Sequence, residues 1–249
     1  MACKEVRLSR SLFYYRNKTD SDDIVIDQLN CLAEKHPRYG FWKMYYCLRR
    51  AGFSWNHKRV YRIYRELKLN IRRRTKRRLP ARVRQPLAIS LLPNQSWSMD
   101  FMSDSLQTGR KFRTLNIIDD FNREALAVEV DTSLPALRVV RVLENLIHER
   151  GRPQQIRVDN GPEFISIALE QWCREKEIKL HYIQPGKPTQ NAFIERFNGT
   201  FRRELLDAYI FENLNQVREM TEEWMEEYNY KRPHDALRNL TPKEYVIMN

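Results

Sequence analysis

Residues 96–102 read Ser-Trp-Ser-Met-Asp-Phe-Met, an alternation of apolar and polar side chains that predicts a β-strand. Asp100 falls on the polar face, inside the strand, where the presence of an acidic residue calls for a functional explanation. Residues 155–158 form a second, short strand-like run, and Asp159 follows directly after it. Functional groups of α/β proteins usually gather at the carboxyl ends of strands. These two stretches predict a sheet that presents acidic side chains for chemistry.

The remainder of this part of the chain alternates between strand and helix patterns. Further strand-like runs lie at residues 112–118, 125–130 and 179–183, with turns predicted near Gly109 and at residues 119–122. Helical patterns lie at residues 136–148, 163–176, 188–206 and 214–228. Three consecutive strands followed by strands that alternate with helices predict an α/β fold with a mixed sheet flanked by helices.

A third acidic residue lies on the helix predicted to begin near residue 188. The apolar residues of this helix recur at helical spacing, which leaves Glu195 on a different face. Asn191 precedes Glu195 by four residues and Arg202 follows it by seven, so the three form one polar stripe. Lys187 lies in the Gly- and Pro-containing loop before the helix. Such a stripe can hold a metal ion at one end and a phosphate at the other.

The three acidic residues together are suited to binding a metal. Asp100, Asp159 and Glu195 supply the carboxylate oxygens that Mg²⁺ prefers in proteins. Two-metal sites of this composition catalyse in-line phosphoryl displacement. The pattern therefore indicates an enzyme that acts on DNA.

Other aspartates compete with Asp100 for this role. Asp119 and Asp120 are the most serious rivals, because they also follow an apolar strand. Asp100 is preferred because it lies inside its strand. Solvated surface charge is the predicted state of Asp104, Asp119, Asp120 and Asp131.

Charge is distributed unevenly along the 249 residues, whose net charge is +12. Residues 1–90 carry 23 basic and 7 acidic residues, whereas residues 91–249 carry 21 and 25. A basic module joined to a mildly acidic one indicates that the first part holds a polyanion. Because the sequence has no apolar run of about 18 residues and no signal segment, it predicts a soluble cytoplasmic protein without a membrane partner.

The four cysteines are scattered and form no Cys-x-x-Cys pair, which favours a reducing compartment. A zinc site could be assembled from Cys31, His36, Cys47 and His57, but their spacings fit no common zinc finger. Buried structural cysteine is the preferred interpretation.

Three helical patterns precede a basic linker. They lie at residues 22–35, 39–51 and 56–69, and the last two resemble a helix-turn-helix. The predicted DNA contacts on the last helix are Lys58, Arg59, Arg62 and Arg65, and a solvated basic face would give a similar pattern. The linker adds Arg72, Arg73 and Arg74 as predicted phosphate contacts.

Three longer motifs contain the acidic residues. They are Trp-Ser-Met-Asp-Phe (97–101), Val-Asp-Asn-Gly-Pro-Glu-Phe (158–164) and Gln-Pro-Gly-Lys-Pro-Thr-Gln-Asn-Ala-Phe-Ile-Glu-Arg-Phe-Asn (184–198). In combination they closely resemble the integrase-type transposases of bacterial insertion sequences, specifically the second reading-frame product of the insertion sequence 3 family. The similarity extends to Pro-Arg-Tyr-Gly at 37–40 and Thr-Pro at 241–242, so it covers nearly the whole chain.

This resemblance implies a ribonuclease H-like core shared with retroviral integrases, preceded by an all-α helix-turn-helix module. It implies that Asp100, Asp159 and Glu195 are the catalytic triad and metal ligands. Arg202 matches the basic residue that the family keeps seven positions after the glutamate. The implied cofactor is a pair of Mg²⁺ ions, for which Mn²⁺ can substitute. The implied reaction cleaves the element ends and joins their 3′-hydroxyl groups to DNA.

The resemblance also implies partners and domain boundaries. The implied partners are the terminal repeats of the element, target DNA, other copies of the chain on DNA, and the upstream reading-frame product of the same element. The protein would then be nucleoid-associated when bound to DNA. The predicted domains are residues 1–70 (helix-turn-helix module), 71–93 (linker), 94–210 (integrase catalytic core) and 211–249 (C-terminal helix and tail).

Two other functions stay open from the residues. A catalytically inactive DNA-binding regulator would use the basic module alone, and a nuclease of the same fold would hydrolyse RNA–DNA hybrids. Asn229, Arg232 and His234 form a polar cluster near the C-terminus. This cluster either packs its helix on the core or contacts DNA.

Overall fold

The computed structural model describes residues 22–71, 90–161, 163–183 and 191–248. The chain divides into two compact units between residues 72 and 73. Each unit has its own hydrophobic core. None of the helices within the described ranges has the length and apolarity that crossing a bilayer requires.

The first unit contains three helices, α1 (Asp23–Lys35), α2 (Phe41–Arg50) and α3 (His57–Glu66). Their apolar stripes meet in a core that includes Leu29 of α1 and Val60 of α3. Asn56 caps α3, because its side chain accepts a hydrogen bond from the backbone N–H of Lys58 at 2.9 Å. The helices form the all-α module that the sequence predicted.

The second unit is built on five strands, β1 (Ser96–Ser105), β2 (Lys111–Asp119), β3 (Ala125–Asp131), β4 (Gln155–Val158) and β5 (Lys179–Tyr182). They form one sheet in the order β3-β2-β1-β4-β5. β1 pairs antiparallel with β2, and β2 with β3, whereas β4 runs parallel to both β1 and β5. The predicted mixed sheet is therefore confirmed.

Helices cover both faces of this sheet. They are α4 (Ala136–Arg150), α5 (Ile167–Glu175), α6 (Ala192–Phe201), α7 (Leu214–Tyr230) and α8 (Pro242–Met248). α4 and α5 pack on the face that contains Met99 of β1, and α6 and α7 pack on the face that contains Met102. Because side chains alternate along a strand, Asp100 lies on the α6 face.

One helix begins later than the sequence indicated. α5 begins at Ile167 rather than at residue 163, because Ser166 caps it by accepting a hydrogen bond from the backbone N–H of Leu169 at 3.2 Å. α6 begins at Ala192, and the predicted start near residue 188 lies outside the described residues. Its last turn gives way to a π-helical turn over Arg202–Leu206.

The prediction that Asp119 and Asp120 are solvated is wrong. Asp120 is fully buried and accepts hydrogen bonds from the hydroxyls of Ser96 and Ser98 at 2.8 and 2.6 Å, and from Arg157 at 3.0 Å. Asp119 is 3% exposed and accepts from two backbone N–H groups. Apart from Phe121, their partners are remote in sequence, so the pattern around the turn did not reveal them.

Asp104 and Asp131 are also not free surface charges. Both are half-buried and lie in ion pairs. Asp104 pairs with Arg202 at 3.3 Å, and Asp131 pairs with Arg218 at 3.4 Å. The predicted solvated state is wrong for both, because each faces a basic side chain from another element.

The polar cluster near the C-terminus packs helix α7 on the core. The Asn229 side chain exchanges two hydrogen bonds of 2.9 Å with the backbone of Ala125. Arg232 donates to both carboxylate oxygens of Glu204, and both side chains are nearly buried. Of the two interpretations left open by the sequence, the structural one accounts for these contacts.

The described cysteines differ in their environments. Cys173 is buried, Cys47 is half-buried and Cys31 is exposed. Buried structural cysteine is therefore right for Cys173 and wrong for Cys31. Within the described ranges, His36, His57 and these cysteines form no group that could hold a metal ion.

Candidate active site

Strand pairing brings two of the predicted acidic residues side by side. Ser98 of β1 lies opposite Arg157 of the parallel strand β4. Asp100 and Asp159 lie two residues further along the chain from this pair, and Asp159 is near enough to Asp100 for its charge to raise the pKa of Asp100. On the other side of β1, Asn116 of β2 lies opposite Asp100.

Glu195 approaches the same face of the sheet from helix α6. Ile194 and Phe197 are buried against the sheet at 0% and 2% exposure, which leaves Glu195 exposed beside them. Asn198 lies about one turn further along and donates a hydrogen bond from Nδ2 to Oδ2 of Asp100 at 2.7 Å. This bond ties the helix that carries Glu195 to the strand that carries Asp100.

The three carboxyl groups influence one another electrostatically. Burial raises the pKa of Asp100 from 3.8 to about 6, and the charges of Asp159 and Glu195 raise it as well. Hydrogen bonds from the Phe101 backbone and the Asn198 side chain oppose this rise. The site thus concentrates negative charge.

This negative charge has no cation to balance it among the described residues. No described Lys or Arg forms an ion pair with Asp100, Asp159 or Glu195, whereas the buried carboxylates of Asp120 and Glu204 each pair with an arginine. Adjacent carboxylates without a basic partner are a donor set that suits a hard divalent cation such as Mg²⁺. In the described part of the chain, however, no three His, Cys, Asp or Glu side chains lie close enough together to hold one. The donor chemistry fits the ion, and a closed coordination shell is not formed.

Asp159 is positioned by the turn that follows β4. Its Oδ1 accepts a hydrogen bond from the backbone N–H of Gly161 at 2.9 Å. A Cβ atom added at Gly161 would lie 2.9 Å from this same oxygen. The turn therefore has no room for a side chain at Gly161 while the Asp159 carboxylate keeps its position.

Comparison with known proteins shows the family. The chain matches two families described as integrase core domain, over residues 91–188 and 176–242, and one described as HTH-like domain, over residues 20–77. It is 42% identical to a 31.7 kDa protein of insertion element IS407 from Burkholderia multivorans, across 98% of this chain and 89% of that protein. The putative transposase InsK of insertion sequence element IS150 from Escherichia coli is 27% identical, across 97% and 91%. The chain belongs to the insertion-sequence transposases with an integrase-like core.

Solved structures share the fold of this transposase. A chain of the simian T-cell lymphotropic virus intasome in complex with PP2A regulatory subunit B56 gamma gives a TM-score of 0.55 at 17% identity, over 88% of the transposase and 74% of that chain. The HTLV-2 integrase catalytic core domain, in complex with magnesium, gives 0.51 at 21% identity, over 63% and 98%. The predicted ribonuclease H-like fold is confirmed.

The other predicted contacts of the catalytic unit differ in their surroundings. Arg202 donates to Asp104 at 3.3 Å and to the backbone oxygen of Ser103 at 2.9 Å. Asn191 is 3% exposed, and its Oδ1 has no hydrogen-bond partner among the described residues. Lys187 lies outside the described residues. The predicted polar stripe on α6 is therefore partly engaged within the transposase itself.

The basic face of α3 is divided between paired and unpaired side chains. Arg59 and Arg62 form ion pairs with Asp22 at 2.8 and 2.6 Å. Lys58 and Arg65 are exposed, and they form no ion pair within the described ranges. They line an open cavity of about 510 Å³ with Tyr61, Arg62 and Glu66. Arg72, Arg73 and Arg74 lie outside the described residues.

Sequence reasoning missed two residues next to the acidic site. Asn198 contacts Asp100, and Asn116 contacts Asn198 from the neighbouring strand at 2.6 Å. The position of Asn198, three residues after Glu195 on the same helix, was a usable signal. Asn116 is a polar residue inside an apolar strand, which is the same signal that singled out Asp100.

Proposed function

We propose that this transposase cleaves the ends of its element and joins the resulting 3′-hydroxyl groups to DNA by metal-dependent phosphoryl transfer. The observation that supports the proposal is that Asp159 and Glu195 lie near enough to Asp100 for their charges to raise its pKa, while none of the three has a basic partner among the described residues. A bound cation would offset this repulsion, and hard divalent ions bridge carboxylates and phosphates.

The proposed reaction gives each of these residues a separate role. Asp100 is influenced by the charges of both other carboxylates and would hold both of two ions, with Asp159 holding one and Glu195 the other. Bound Mg²⁺, or Mn²⁺ in its place, activates the attacking water or 3′-hydroxyl and stabilises the leaving oxygen. Arg202, Asn191 and Lys187 would contact phosphates of the DNA end. No covalent protein–DNA link is required.

The proposed partners are DNA duplexes and other protein chains. The terminal repeats and the target DNA are the substrates, and the basic face of α3 together with Arg72, Arg73 and Arg74 holds DNA through its phosphates. Further copies of the chain and the upstream reading-frame product of the element complete the proposed assembly. Magnesium in the HTLV-2 core domain supports the choice of ion. We place the reaction on DNA in the bacterial cytoplasm.

The test compares Asp159→Asn and Glu195→Gln with the wild type on a labelled duplex that bears an element end. In Mg²⁺ we expect the wild type to cleave and join, and each variant to lose at least about 1,000-fold in rate, or roughly 4 kcal/mol of barrier, with DNA affinity retained. Glu226→Gln on the exposed face of α7 is the matched control and retains full activity. Undiminished joining by either active-site variant would contradict the assignment.

An inactive DNA-binding regulator is the second candidate function. It is favoured by one observation, namely that the described carboxylates do not form a closed metal site. The same assay separates the candidates, because a regulator binds the duplex without cleaving it in Mg²⁺ or Mn²⁺. An RNA–DNA hybrid included as a further substrate tests for hydrolysis by a nuclease of this fold.

A further inference from the structure

A buried chain of hydrogen bonds leads from the interior of the sheet to Asp100. Asn116 is fully buried on β2 and donates from Nδ2 to Oδ1 of Asn198 at 2.6 Å. Asn198 is 8% exposed on α6 and donates from its own Nδ2 to Oδ2 of Asp100 at 2.7 Å. The two amides therefore form a relay that ends on a carboxylate of the candidate site.

The direction of this relay follows from the charge at its end. An ionised carboxylate only accepts hydrogen bonds, so Asn198 must present its NH₂ group to Asp100. Its oxygen then faces Asn116, which must also present NH₂. The Oδ1 atom of Asn116 is left without a partner among the described residues, although it is buried. Since a buried amide oxygen is normally paired, the orientation is set by Asp100 and not by the surroundings of Asn116.

The relay fixes the plane of the Asp100 carboxylate. Oδ2 accepts from Asn198, and Oδ1 accepts from the backbone N–H of Phe101 at 2.8 Å. Each oxygen keeps a free lone pair, while rotation about the Cβ–Cγ bond is opposed at both ends. The same contacts join three elements, because Asn116 lies on β2, Asp100 on β1 and Asn198 on the helix of Glu195.

We propose that Asn198 and Asn116 are positioning residues that orient Asp100 toward the ion and set its separation from Glu195. The inference rests on the proposed function for its chemistry. Neither asparagine touches the reacting atoms, and both act through Asp100. Partners that orient a metal ligand typically contribute 10- to 100-fold in metal affinity or activity.

The experiment measures Mn²⁺ affinity of the full chain by electron paramagnetic resonance of the free ion, alongside DNA joining in Mg²⁺. We expect Asn198→Ala to weaken Mn²⁺ binding and to lower kcat by 10- to 100-fold, with the KM for DNA unchanged. Asn116→Ala should act in the same direction by a smaller factor. The double variant should be no worse than Asn198→Ala, because both side chains act in one relay.

Thr114→Val is the matched control. Thr114 is buried on the same strand two residues before Asn116, and its hydroxyl has no hydrogen-bond partner in the described part of the chain. This substitution removes a buried polar group of β2 without touching the relay. We expect its Mn²⁺ affinity and kcat to equal those of the wild type, and circular dichroism verifies that every variant is folded.

The outcomes separate the relay from the proposed function. If the wild type joins DNA and Asn198→Ala behaves like Thr114→Val, the relay is wrong and the proposed function stands. If the wild type binds Mn²⁺ but joins no DNA, the function is wrong, and weaker Mn²⁺ binding by Asn198→Ala still supports the relay. Additive losses in the double variant, or a wild type that binds no Mn²⁺, overturn the relay.

Discussion

Arg157 donates a hydrogen bond to Asp120 across 3.0 Å, and the two side chains are only 6% and 0% exposed. This buried ion pair links β4 to the turn after β2, and Arg157 precedes Asp159 by two residues. Two serine hydroxyls of β1 also donate hydrogen bonds to the Asp120 carboxylate. The pair therefore holds together the strands on which the candidate site is built.

Removal of the Asp120 charge should destabilise the second unit strongly. Asp120→Asn leaves the Arg157 guanidinium buried without its counter-charge, so we expect the free energy of unfolding to fall by about 3–5 kcal/mol. Urea denaturation followed by circular dichroism measures it. The control is Glu177→Gln, which breaks the exposed pair with Arg152 and should leave the unfolding midpoint unchanged. Equal effects of the two substitutions would contradict the structural role of Asp120.

Gly161 should matter for activity more than for stability. In Gly161→Ala the added Cβ would approach Oδ1 of Asp159 to 2.9 Å, and the carboxylate can yield by turning away. We expect the rate of DNA joining to fall by about 10- to 100-fold while the unfolding midpoint shifts little. Gly40→Ala is the matched control, since a Cβ there meets nothing within 4 Å. A joining rate at wild-type level in Gly161→Ala would show that Asp159 need not keep this orientation.

Asp119 should make stability depend on pH. Burial raises its pKa from 3.8 to about 6, and the charges of Asp120 and Glu124 add to the rise, against two backbone N–H donors. Between pH 3.8 and about pH 6, Asp119 is protonated in the folded chain and ionised in the unfolded chain. The free energy of unfolding therefore falls as pH rises through this range, by about 3 kcal/mol at most.

The measurement for Asp119 is urea unfolding of the wild type and Asp119→Asn at several values between pH 4 and pH 6. Asp100 contributes in the same window in both proteins, so the difference between the two curves isolates Asp119. We expect a flatter dependence on pH in the variant. Parallel curves would mean that Asp119 ionises in the folded chain as it does in water.

The basic side chains of α3 should differ in their contribution to DNA affinity. Lys58 has no ion-pair partner among the described residues, whereas Arg62 pairs with Asp22 and Glu66. Each phosphate contact contributes about 0.9 to the slope of log affinity against log salt concentration. Lys58→Ala should lower the slope by about 1, and Arg62→Ala should lower it by less. Fluorescence anisotropy between 50 and 200 mM salt, a range in which such contacts dominate, measures both slopes, and identical slopes would contradict the distinction.

Much of the architecture could be predicted because its signals are local. The alternation around Asp100 specifies a strand, and the helical spacing around Glu195 specifies a helix. Asp120 could not be placed, because its partners Ser98 and Arg157 lie 22 and 37 residues away in sequence. The spacing of residues in the sequence indicates which face of an element a side chain occupies. It does not indicate which charged group of another element will contact that side chain.

Helix α6 shows the same limit in its last turn. Spacing of seven residues between Glu195 and Arg202 correctly describes a continuous helix up to Phe201. Arg202 then enters a π-helical turn and meets Asp104 from β1, a partner 98 residues away. The local pattern predicted the polar stripe on α6. Tertiary contacts determine which residues of that stripe are engaged within the chain.

The π-helical turn also constrains the length of the chain at this point. The backbone N–H of Asp207 reaches back five residues to the oxygen of Arg202 at 2.7 Å, which accommodates one residue more than an α-turn would. With that extra residue, the consecutive side chains of Leu205 and Leu206 are both buried, and Glu204 faces Arg232. Deleting a single residue here would rotate the remainder of the turn by about 100° relative to α6, so that the two consecutive leucine positions would not both stay buried. The contacts of this turn therefore depend on the number of its residues as well as on their types.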